Sequence, residues 1–188
     1  MSLIAFREQL VALDLSERQE EVGFRQAMVG LLDSGADCLS RACFPAHFTG
    51  SALVVSADGS QALLHHHRKL GRWLQFGGHC EGGESVLQGA VREANEESGI
   101  EGLILASAKP FDLDIHEIPA RADQPAHWHY DVRYVLIAPE GAIPRASKES
   151  TELRWFTPTE MDALELGAGS RRLLNKWREL LERRSKHS

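Results

Sequence analysis

The segment from Gly77 to Ile100 places a glycine-rich loop directly before a helix that carries several carboxylates. At 100° per residue, Glu93, Glu96 and Glu97 share one face of that helix. Like charges at this spacing repel each other by about 0.2–0.5 kcal/mol per pair. Gly89 lies one turn earlier on the same face, where a glycine costs about 1 kcal/mol relative to alanine and a side chain would crowd a bound ion. The pattern therefore predicts a compensating cation, and Mg²⁺ prefers such oxygen ligands.

The same residues match a known family signature. Gly78 is followed after five residues by Glu84, and after seven more by the run from Arg92 to Ile100. This arrangement resembles the Nudix box, G-x5-E-x7-R-E-U-x-E-E-x-G-U, in which U is apolar, and Ala94 fills the first U position. Seven fixed positions match by chance about once in 10⁸ starting sites. An acidic helix with a solvated face is the alternative interpretation, but it leaves the glycine loop unexplained.

The fold that the resemblance implies is α/β, a Nudix-type α/β/α sandwich with a mixed central sheet. The residues themselves indicate only an α and β mixture around one sheet, because predicted strands precede and follow the long helix. Ahead of them, residues 3–33 place apolar side chains at helical spacing, with a break at 14–16. We therefore predict an N-terminal helical extension over residues 1–45 and a Nudix hydrolase domain with a C-terminal helix over residues 46–188.

The N-terminal extension is short for an independent domain. It is predicted to be a cap, a dimer element or a helical pair packed on the main fold, and a homodimer is left open. Ser16 with Gln19 resembles a capping box that opens the second helix. The sequence does not settle whether Met1 to Leu3 is native.

Short strands separated by turn signals follow from residue 47. Asp58-Gly59 between apolar runs predicts a β-hairpin, and Pro158 suits the first turn of a short helix. The last helix, from Ser170, has an apolar face and arginines opposite, which is typical of a solvated surface helix rather than a nucleic-acid patch. The predicted strands are residues 51–56, 61–65, 103–107, 111–118, 127–138 and 152–156.

The activity that the resemblance implies is metal-dependent hydrolysis of a pyrophosphate bond in a nucleoside diphosphate linked to another moiety, by in-line attack of water. The cofactor would be Mg²⁺, with Mn²⁺ as a substitute. Its ligands by the resemblance are Gly77, through its backbone carbonyl, and Glu93, Glu96 and Glu97. The number of ions is left open.

The remaining catalytic residues are also assigned by resemblance. Glu93 either binds metal or acts as the base that orients water, and Glu149, before the last strand, is the alternative base. Arg92 and Glu84 match family positions that tie the loop to the helix. Their predicted roles are structural and electrostatic.

The segment from His127 to Tyr134 alternates polar with aromatic or apolar residues. As a strand it would place His127, His129, Asp131 and Arg133 on one face. A half-solvated strand is one interpretation. The functional interpretation is that this face lines a nucleotide cleft, with Arg133 binding phosphate through two hydrogen bonds.

Three further residues are predicted to contact substrate. Arg68 and Lys69 would attract phosphate groups, and His79 either touches a leaving phosphate or is a loop histidine held by a backbone bond. The run His65 to His67 is not predicted to bind one metal ion, because successive side chains of a strand point to opposite faces.

Net charge, apolar runs and cysteine spacing argue against several kinds of partner and site. The net charge of −6 argues against sequence-independent binding to duplex nucleic acid. No run of 18 apolar residues and no leader pattern is found, so no membrane partner is predicted and the protein is expected to be cytoplasmic. The three cysteines have no C-x-x-C pair, which argues against a disulfide framework or a zinc finger. The expected partner is a small-molecule, nucleotide-type substrate.

Two other functions share the implied fold. One is a non-hydrolysing Nudix-fold nucleotide sensor or binding module, which tends to have a degraded box, whereas the box here is intact. The weaker one is an isomerase of prenyl diphosphates, for which no residue pair is assigned. Substrate identity is left open among dinucleoside polyphosphates, nucleotide sugars, ADP-ribose, NAD-type dinucleotides, modified nucleoside triphosphates and capped RNA.

Overall fold

The structure is a computed structural model that describes residues 2–122 and 124–185. Its helices are α1 (Leu3–Val11), α2 (Gln19–Asp33), α3 (Val86–Ser98), α4 (Pro158–Asp162) and α5 (Ala168–Ser185). Its strands are β1 (Ala46–Val55), β2 (Ala62–His67), β3 (Arg72–Leu74), β4 (Phe76–His79), β5 (Ile104–Leu105), β6 (Asp112–Ile118), β7 (His127–Ile137) and β8 (Ser150–Phe156). No described helix is long and apolar enough to cross a membrane.

The strands form one sheet with the order β3-β2-β1-β7-β5. Strand β4 pairs with β1, β6 with β7, and β8 with β2. The predicted hairpin is confirmed: β1 and β2 are antiparallel, with Val55 opposite Ala62. Its turn uses the Asp58 carboxylate, which accepts hydrogen bonds from Ser56 and Ser60, and Gly59 supplies a φ of 77°.

By their contacts, the residues group into two compact units. The first contains Met1–Ser51, Gly77–Val91 and Ser107–Tyr134, and the second contains Ala52–Phe76, Arg92–Ala106 and Val135–Ser188. Strands β1 and β7 and helix α3 each contribute residues to both.

In the first unit, the two N-terminal helices pack on strands. Phe6 of α1 meets Phe48 of β1 edge to face, with ring centroids 5.4 Å apart. Glu21 of α2 is buried, and its Oε1 accepts the Leu113 backbone N–H of β6 at 3.2 Å. Of the arrangements that the sequence left open, the structure therefore shows a helical pair packed on the strands.

The first half of α3 lies against β1 at a glycine. A Cβ added at Gly50 would lie 2.3 Å from the Val86 carbonyl oxygen and 2.9 Å from the Ala90 nitrogen. Real Cβ atoms do not approach backbone atoms this closely, so the missing side chain at Gly50 is what allows the contact.

In the second unit, α5 covers the hairpin turn. Trp177 is 1% exposed, and its indole N–H donates to the Gly59 carbonyl at 3.2 Å. The short helix predicted from Pro158 is α4, and it begins with a capping box between Thr157 and Glu160. Arg178 of α5 pairs with Asp162 of α4.

Several local predictions differ from the structure, among them the start of β1, which lies at Ala46 instead of residue 51. The strand predicted at 103–107 is only Ile104–Leu105. The predicted capping box at Ser16 is wrong, because α2 begins at Gln19 with Arg18 as its uncapped N-cap. The Ser16 backbone N–H instead bonds the Asp14 carboxylate in a local turn.

Candidate active site

The glycine loop between β4 and α3 is held by side chains of its own. Ser85 donates to the Gln88 side chain through both its backbone N–H and its hydroxyl, at 2.9 and 2.8 Å. This Ser-x-x-Gln pair is a capping box that sequence reasoning missed, although its spacing is a recognised signal for a helix start. Glu84 Oε2 accepts the Glu81 backbone N–H at 3.1 Å, a bond within the loop. Its role in tying the loop to the helix stays a prediction.

Two glycines in this region differ in the room around them. A Cβ at Gly77 would lie 2.2 Å from Ser51 Oγ, so the backbone there tolerates no side chain. At Gly89 a Cβ would lie 3.6 Å from Cys80 and from Glu84 Oε2, which is ordinary contact. Protein neighbours therefore do not explain Gly89, and crowding of a bound ion stays a prediction.

The acidic residues of α3 differ in exposure. Glu97 is buried, the Glu93 side chain is 19% exposed, and that of Glu96 is 61% exposed. Arg92 Nη1 lies 3.1 Å from Glu93 Oε1 and 3.2 Å from Glu96 Oε2. Arg92 thus reduces the repulsion between these two carboxylates, in line with its predicted electrostatic role.

Glu93 has the perturbed acidity expected of a functional carboxyl. Burial raises its pKa, the neighbouring Arg92 lowers it, and the charges of Glu96 and Glu149 raise it further. The net direction is upward, so the ionised form of Glu93 is disfavoured in the absence of a bound cation. Glu149 is therefore electrostatically close to Glu93, as its predicted role requires.

Glu97 has a buried neighbour that sequence reasoning did not assign to the site. His65 Nδ1 lies 4.0 Å from Glu97 Oε1 and 2.9 Å from Ser150 Oγ. Burial, followed by the nearby His67 and His66, lowers the pKa of His65 to about 4. The ring is therefore neutral at pH 7 and forms no ion pair with Glu97. His65, like Glu97, is buried.

Arg68 holds the segment that carries Glu149. Its Nε donates to the Lys148 carbonyl at 3.0 Å and its Nη2 to the Ser150 carbonyl at 2.9 Å. The Arg68 backbone N–H donates to the Glu149 carbonyl at 2.7 Å. Arg68 therefore positions the Glu149 segment, while Lys69 is exposed beside it. Contact of either residue with substrate phosphate stays a prediction.

The predicted face of β7 is real, but its Arg133 is an interior residue. Arg133 is 3% exposed and donates to Asp131, Asp112 and Asp114 at 2.8, 3.0 and 2.8 Å. Asp131 also accepts the hydroxyls of Thr49 and Ser51. The geometry favours a structural role for Arg133, and its contact with phosphate stays a prediction.

The other end of this face is a cluster of five histidine rings, which we call the histidine cluster. The closest approach is between Nε2 of His127 and Nε2 of His129, at 3.3 Å. Ring centroids of neighbouring members lie 4.9–5.5 Å apart. The cluster consists of the predicted His79, His127 and His129 together with His47 and His116.

Sequence reasoning missed His47 and His116. His47 is followed on β1 by Thr49 and Ser51 at alternate positions, which places polar residues on one strand face. That alternation was the available signal. His116 lies directly opposite His129 in the β6–β7 pairing, a register that only the structure gives.

Three rings of the histidine cluster, those of His47, His79 and His129, have lowered pKa values. Burial is the main cause in each case: it lowers the pKa of His47, lowers that of His79 to about 4 and lowers that of His129 to about 2. Neighbouring rings add to the effect, because one protonated imidazole disfavours another.

Comparison with known proteins gives a consistent match. The model of the NUDIX domain matches residues 46–177. In Mycobacterium tuberculosis, a protein named "Putative mutator protein MutT4" is 29% identical over 141 residues, covering 71% of this chain and 55% of the relative. Another, named "Putative 8-oxo-dGTP diphosphatase 3", is 31% identical over 121 residues, covering 60% and 52%. The chain thus spans about half the length of these relatives.

Solved structures confirm the fold. A Caenorhabditis elegans Ap4A hydrolase in a binary complex superposes with a TM-score of 0.55 at 20% identity, covering 72% of this chain and 97% of that one. The Escherichia coli dihydroneopterin triphosphate pyrophosphohydrolase gives a TM-score of 0.54 at 18% identity, covering 69% and 92%. The predicted α/β fold, with its mixed sheet and N-terminal helices, is confirmed.

Proposed function

Because this chain belongs to the NUDIX domain family, we propose that it is a metal-dependent hydrolase that cleaves a pyrophosphate bond in a nucleoside diphosphate linked to another moiety, by in-line attack of water. The observation that carries the proposal is the acidic face of α3, which carries Glu93, Glu96 and the buried Glu97. Arg92 contacts the carboxylates of Glu93 and Glu96. We also propose residues 46–188 as the catalytic domain and residues 1–45 as its helical extension, in line with the matched range.

The chemistry of these residues fits a hard divalent ion. Glu93, Glu96 and Glu97 offer only oxygen ligands, which Mg²⁺ and Mn²⁺ prefer. Burial raises the pKa of Glu93, with Glu96 and Glu149 adding to the shift, and a bound cation would favour its ionised form again. By the family resemblance, the Gly77 carbonyl would be a further ligand. When bound, the ion would supply neutralisation of phosphate charge and acidification of a water molecule.

Proton removal from the attacking water falls to a carboxylate of the chain. Glu93 is one candidate, because burial moves its pKa upward toward the working pH. Glu149 is the other, since Arg68 fixes the carbonyls on both sides of it and its charge is felt by Glu93. The two assignments differ in a testable way: the residue that acts only as base would leave metal affinity unchanged when replaced by glutamine.

Substrate recognition would come from residues outside the acidic face. We propose Arg68, Lys69 and His79 as phosphate contacts and His127, His129 and Arg133 as the polar face toward the nucleotide. Arg68 and Lys69 are both exposed, whereas Arg133 is buried. The relatives suggest the candidates to test first, which are 8-oxo-dGTP, Ap4A and dihydroneopterin triphosphate.

A phosphate-release screen tests the proposal. The full chain is incubated with Mg²⁺ or Mn²⁺ and a panel of these three compounds, nucleotide sugars, ADP-ribose, NAD-type dinucleotides and capped RNA. Products are identified by mass, with H₂¹⁸O to show which phosphorus water attacks. Cleavage between two phosphorus atoms, with ¹⁸O in one product, is expected. Tight binding of a nucleotide without turnover would overturn it and favour the sensor alternative.

A further inference from the structure

We propose that His47, His127 and His129 form a site for one divalent transition-metal ion, Zn²⁺ by their chemistry, made from residues other than the α3 carboxylates. The three ligand nitrogens lie within 4.8 Å of one another. Imidazole nitrogen suits Zn²⁺ and its neighbours in the first transition row, whereas Mg²⁺ prefers oxygen. The site therefore differs in ligand type from the one in the proposed function.

Two of the nitrogens are already spaced for a tetrahedral ion. The Nε2 atoms of His127 and His129 are 3.3 Å apart. Two nitrogens bound at the usual zinc–nitrogen distance and at the tetrahedral angle are about 3.3 Å apart. The ligand nitrogen of His47 lies within 4.8 Å of the ligand nitrogens of both other rings.

In two of the three rings, Nδ1 has the backbone contact that is typical of metal-binding histidines. Nδ1 of His47 lies 3.1 Å from the Cys43 carbonyl, and Nδ1 of His127 lies 3.0 Å from the Pro125 carbonyl. A carbonyl oxygen only accepts, so both Nδ1 atoms carry the proton, and the Nε2 lone pairs point toward the cluster. A ring N–H donated to a backbone carbonyl is the usual orienting contact of a zinc ligand.

The buried Nε2 atom of His47 is the observation that indicates a missing ligand. His47 is fully buried, and within the part of the chain that the structure describes its Nε2 has no hydrogen-bond partner. A buried polar atom without a partner is costly and rare in native proteins. Burial lowers the pKa of His47 and of His129, which favours the neutral imidazole that a metal ion requires.

The charges near the cluster favour a cation. One buried cation, Arg133, is surrounded by the carboxylates of Asp112, Asp114 and Asp131. Oδ2 of Asp114 also lies 2.9 Å from Nδ1 of His116. These four charged side chains carry a formal surplus of negative charge. Arg41 opposes this from an exposed position, where solvent screens its charge.

A bound ion would link the beginning of β1 to the beginning of β7. His79, whose ring centroid lies 4.9 Å from that of His129 and 5.1 Å from that of His47, is placed to be a fourth ligand in competition with water. This role for His127 and His129 differs from substrate contact, and the two are separated by measuring metal binding without substrate.

The test is metal binding to the full chain, produced with a tag that lacks histidine and stripped with a chelator. Zn²⁺ affinity and stoichiometry are measured by competition with a chromophoric chelator, and Co²⁺ serves as the spectroscopic probe. We expect one Zn²⁺ per chain and the intense visible bands of four-coordinate Co²⁺. His129→Gln and His47→Gln should each weaken Zn²⁺ binding by at least about 100-fold.

Two control variants separate this site from other ligands. His66→Gln removes a half-buried histidine from the His65 to His67 run, and Glu97→Gln removes a carboxylate of α3. Both should keep the stoichiometric Zn²⁺. Unchanged affinity in His129→Gln, or loss of the ion in Glu97→Gln, would overturn the site.

Folding of the variants does not decide the outcome. Circular dichroism checks each protein, and His129, which is only half-buried, is the safer position. Should both histidine variants fail to fold, the wild-type Co²⁺ spectrum decides: weak six-coordinate bands alone would contradict a histidine site. Because no substrate enters the experiment, the result is independent of whether the chain hydrolyses nucleotides.

Discussion

Arg133 donates through Nε to Asp131 Oδ2 at 2.8 Å, two residues away on the same strand, and both side chains are buried. The guanidinium also bonds Asp112 and Asp114 of β6, so one cation joins three interior carboxylates across a strand pair. The side chain that the sequence offers as a phosphate ligand thus makes ion pairs with three buried carboxylates.

Replacement of Arg133 by methionine should destabilise the protein strongly. Three buried carboxylates would lose their shared cation, and removal of one partner from a buried ion pair costs about 3–5 kcal/mol. Urea unfolding measures the difference. The matched control is Arg154→Met, which breaks an exposed pair with Glu160 and should cost less than about 1 kcal/mol. Equal losses for the two variants would show that burial of the Arg133 network carries no special weight.

Glu97→Gln should abolish most activity while leaving the fold intact. The amide keeps the shape of the buried side chain but removes the charge that a divalent ion requires, so turnover should fall by at least about 100-fold. Steady-state kinetics on the best substrate of the screen, over a range of Mg²⁺ and Mn²⁺ concentrations, make the measurement. Glu101→Gln, an exposed change just beyond the helix, is the control and should be neutral. Near-normal activity of Glu97→Gln at all metal concentrations would remove α3 from the metal site.

Gly50→Ala should destabilise the contact between β1 and α3. The new methyl group would lie 2.3 Å from the Val86 carbonyl oxygen, and overpacking of this kind costs about 1–3 kcal/mol. Gly30→Ala is the matched control, because nothing lies within 4 Å of its added Cβ in the interior of α2. There the same substitution should stabilise by about 0.5–1 kcal/mol. Thermal unfolding of both variants tests the opposite signs, and stabilisation by Gly50→Ala would contradict the close approach.

Stability should fall as the pH falls below neutral. The pKa values of His65, His79 and His129 are lowered to about 4, about 4 and about 2 from the usual 6.5. Between these values the unfolded chain binds protons that the folded chain does not, so acidification favours unfolding. The contribution of these rings is complete above 6.5 and is lost as the pH falls toward 4.

Urea unfolding in the presence of a chelator tests this between about pH 7.5 and 5.5, above the range in which ordinary carboxyls titrate. His65→Gln should flatten the dependence on pH, because it removes one of the responsible rings. A free energy of unfolding that stays constant over this range would mean that the rings titrate as they do in water.

Local patterns predicted the parts of the fold that depend on neighbours in sequence. The hairpin at Asp58-Gly59, the acidic helix and the alternation from His127 onward each follow from spacing or turn chemistry, and the structure contains all three. The start of β1 at Ala46 was missed, because His47, Thr49 and Ser51 interrupt its apolar pattern.

The contacts that single residues of β7 make depend on the register between β6 and β7. The pairing that sets Asp112 opposite Arg133 and His116 opposite His129 joins residues about 20 positions apart or closer, and no local signal fixes it. The partnership of His47 with His127 likewise joins β1 to a distant strand. Side-chain types could therefore be read from the sequence, whereas their partners could not.

Arg68 donates hydrogen bonds to the carbonyls of Lys148 and Ser150, on either side of Glu149. The position of Glu149 therefore does not depend on the length of the loop before it. This loop, residues 139–147, leads into the Glu149 segment, which Arg68 holds just after the end of β2. Insertions or deletions in that loop should therefore leave Glu149 in place. Arg68 thus makes the position of this carboxylate independent of changes in the residues before it.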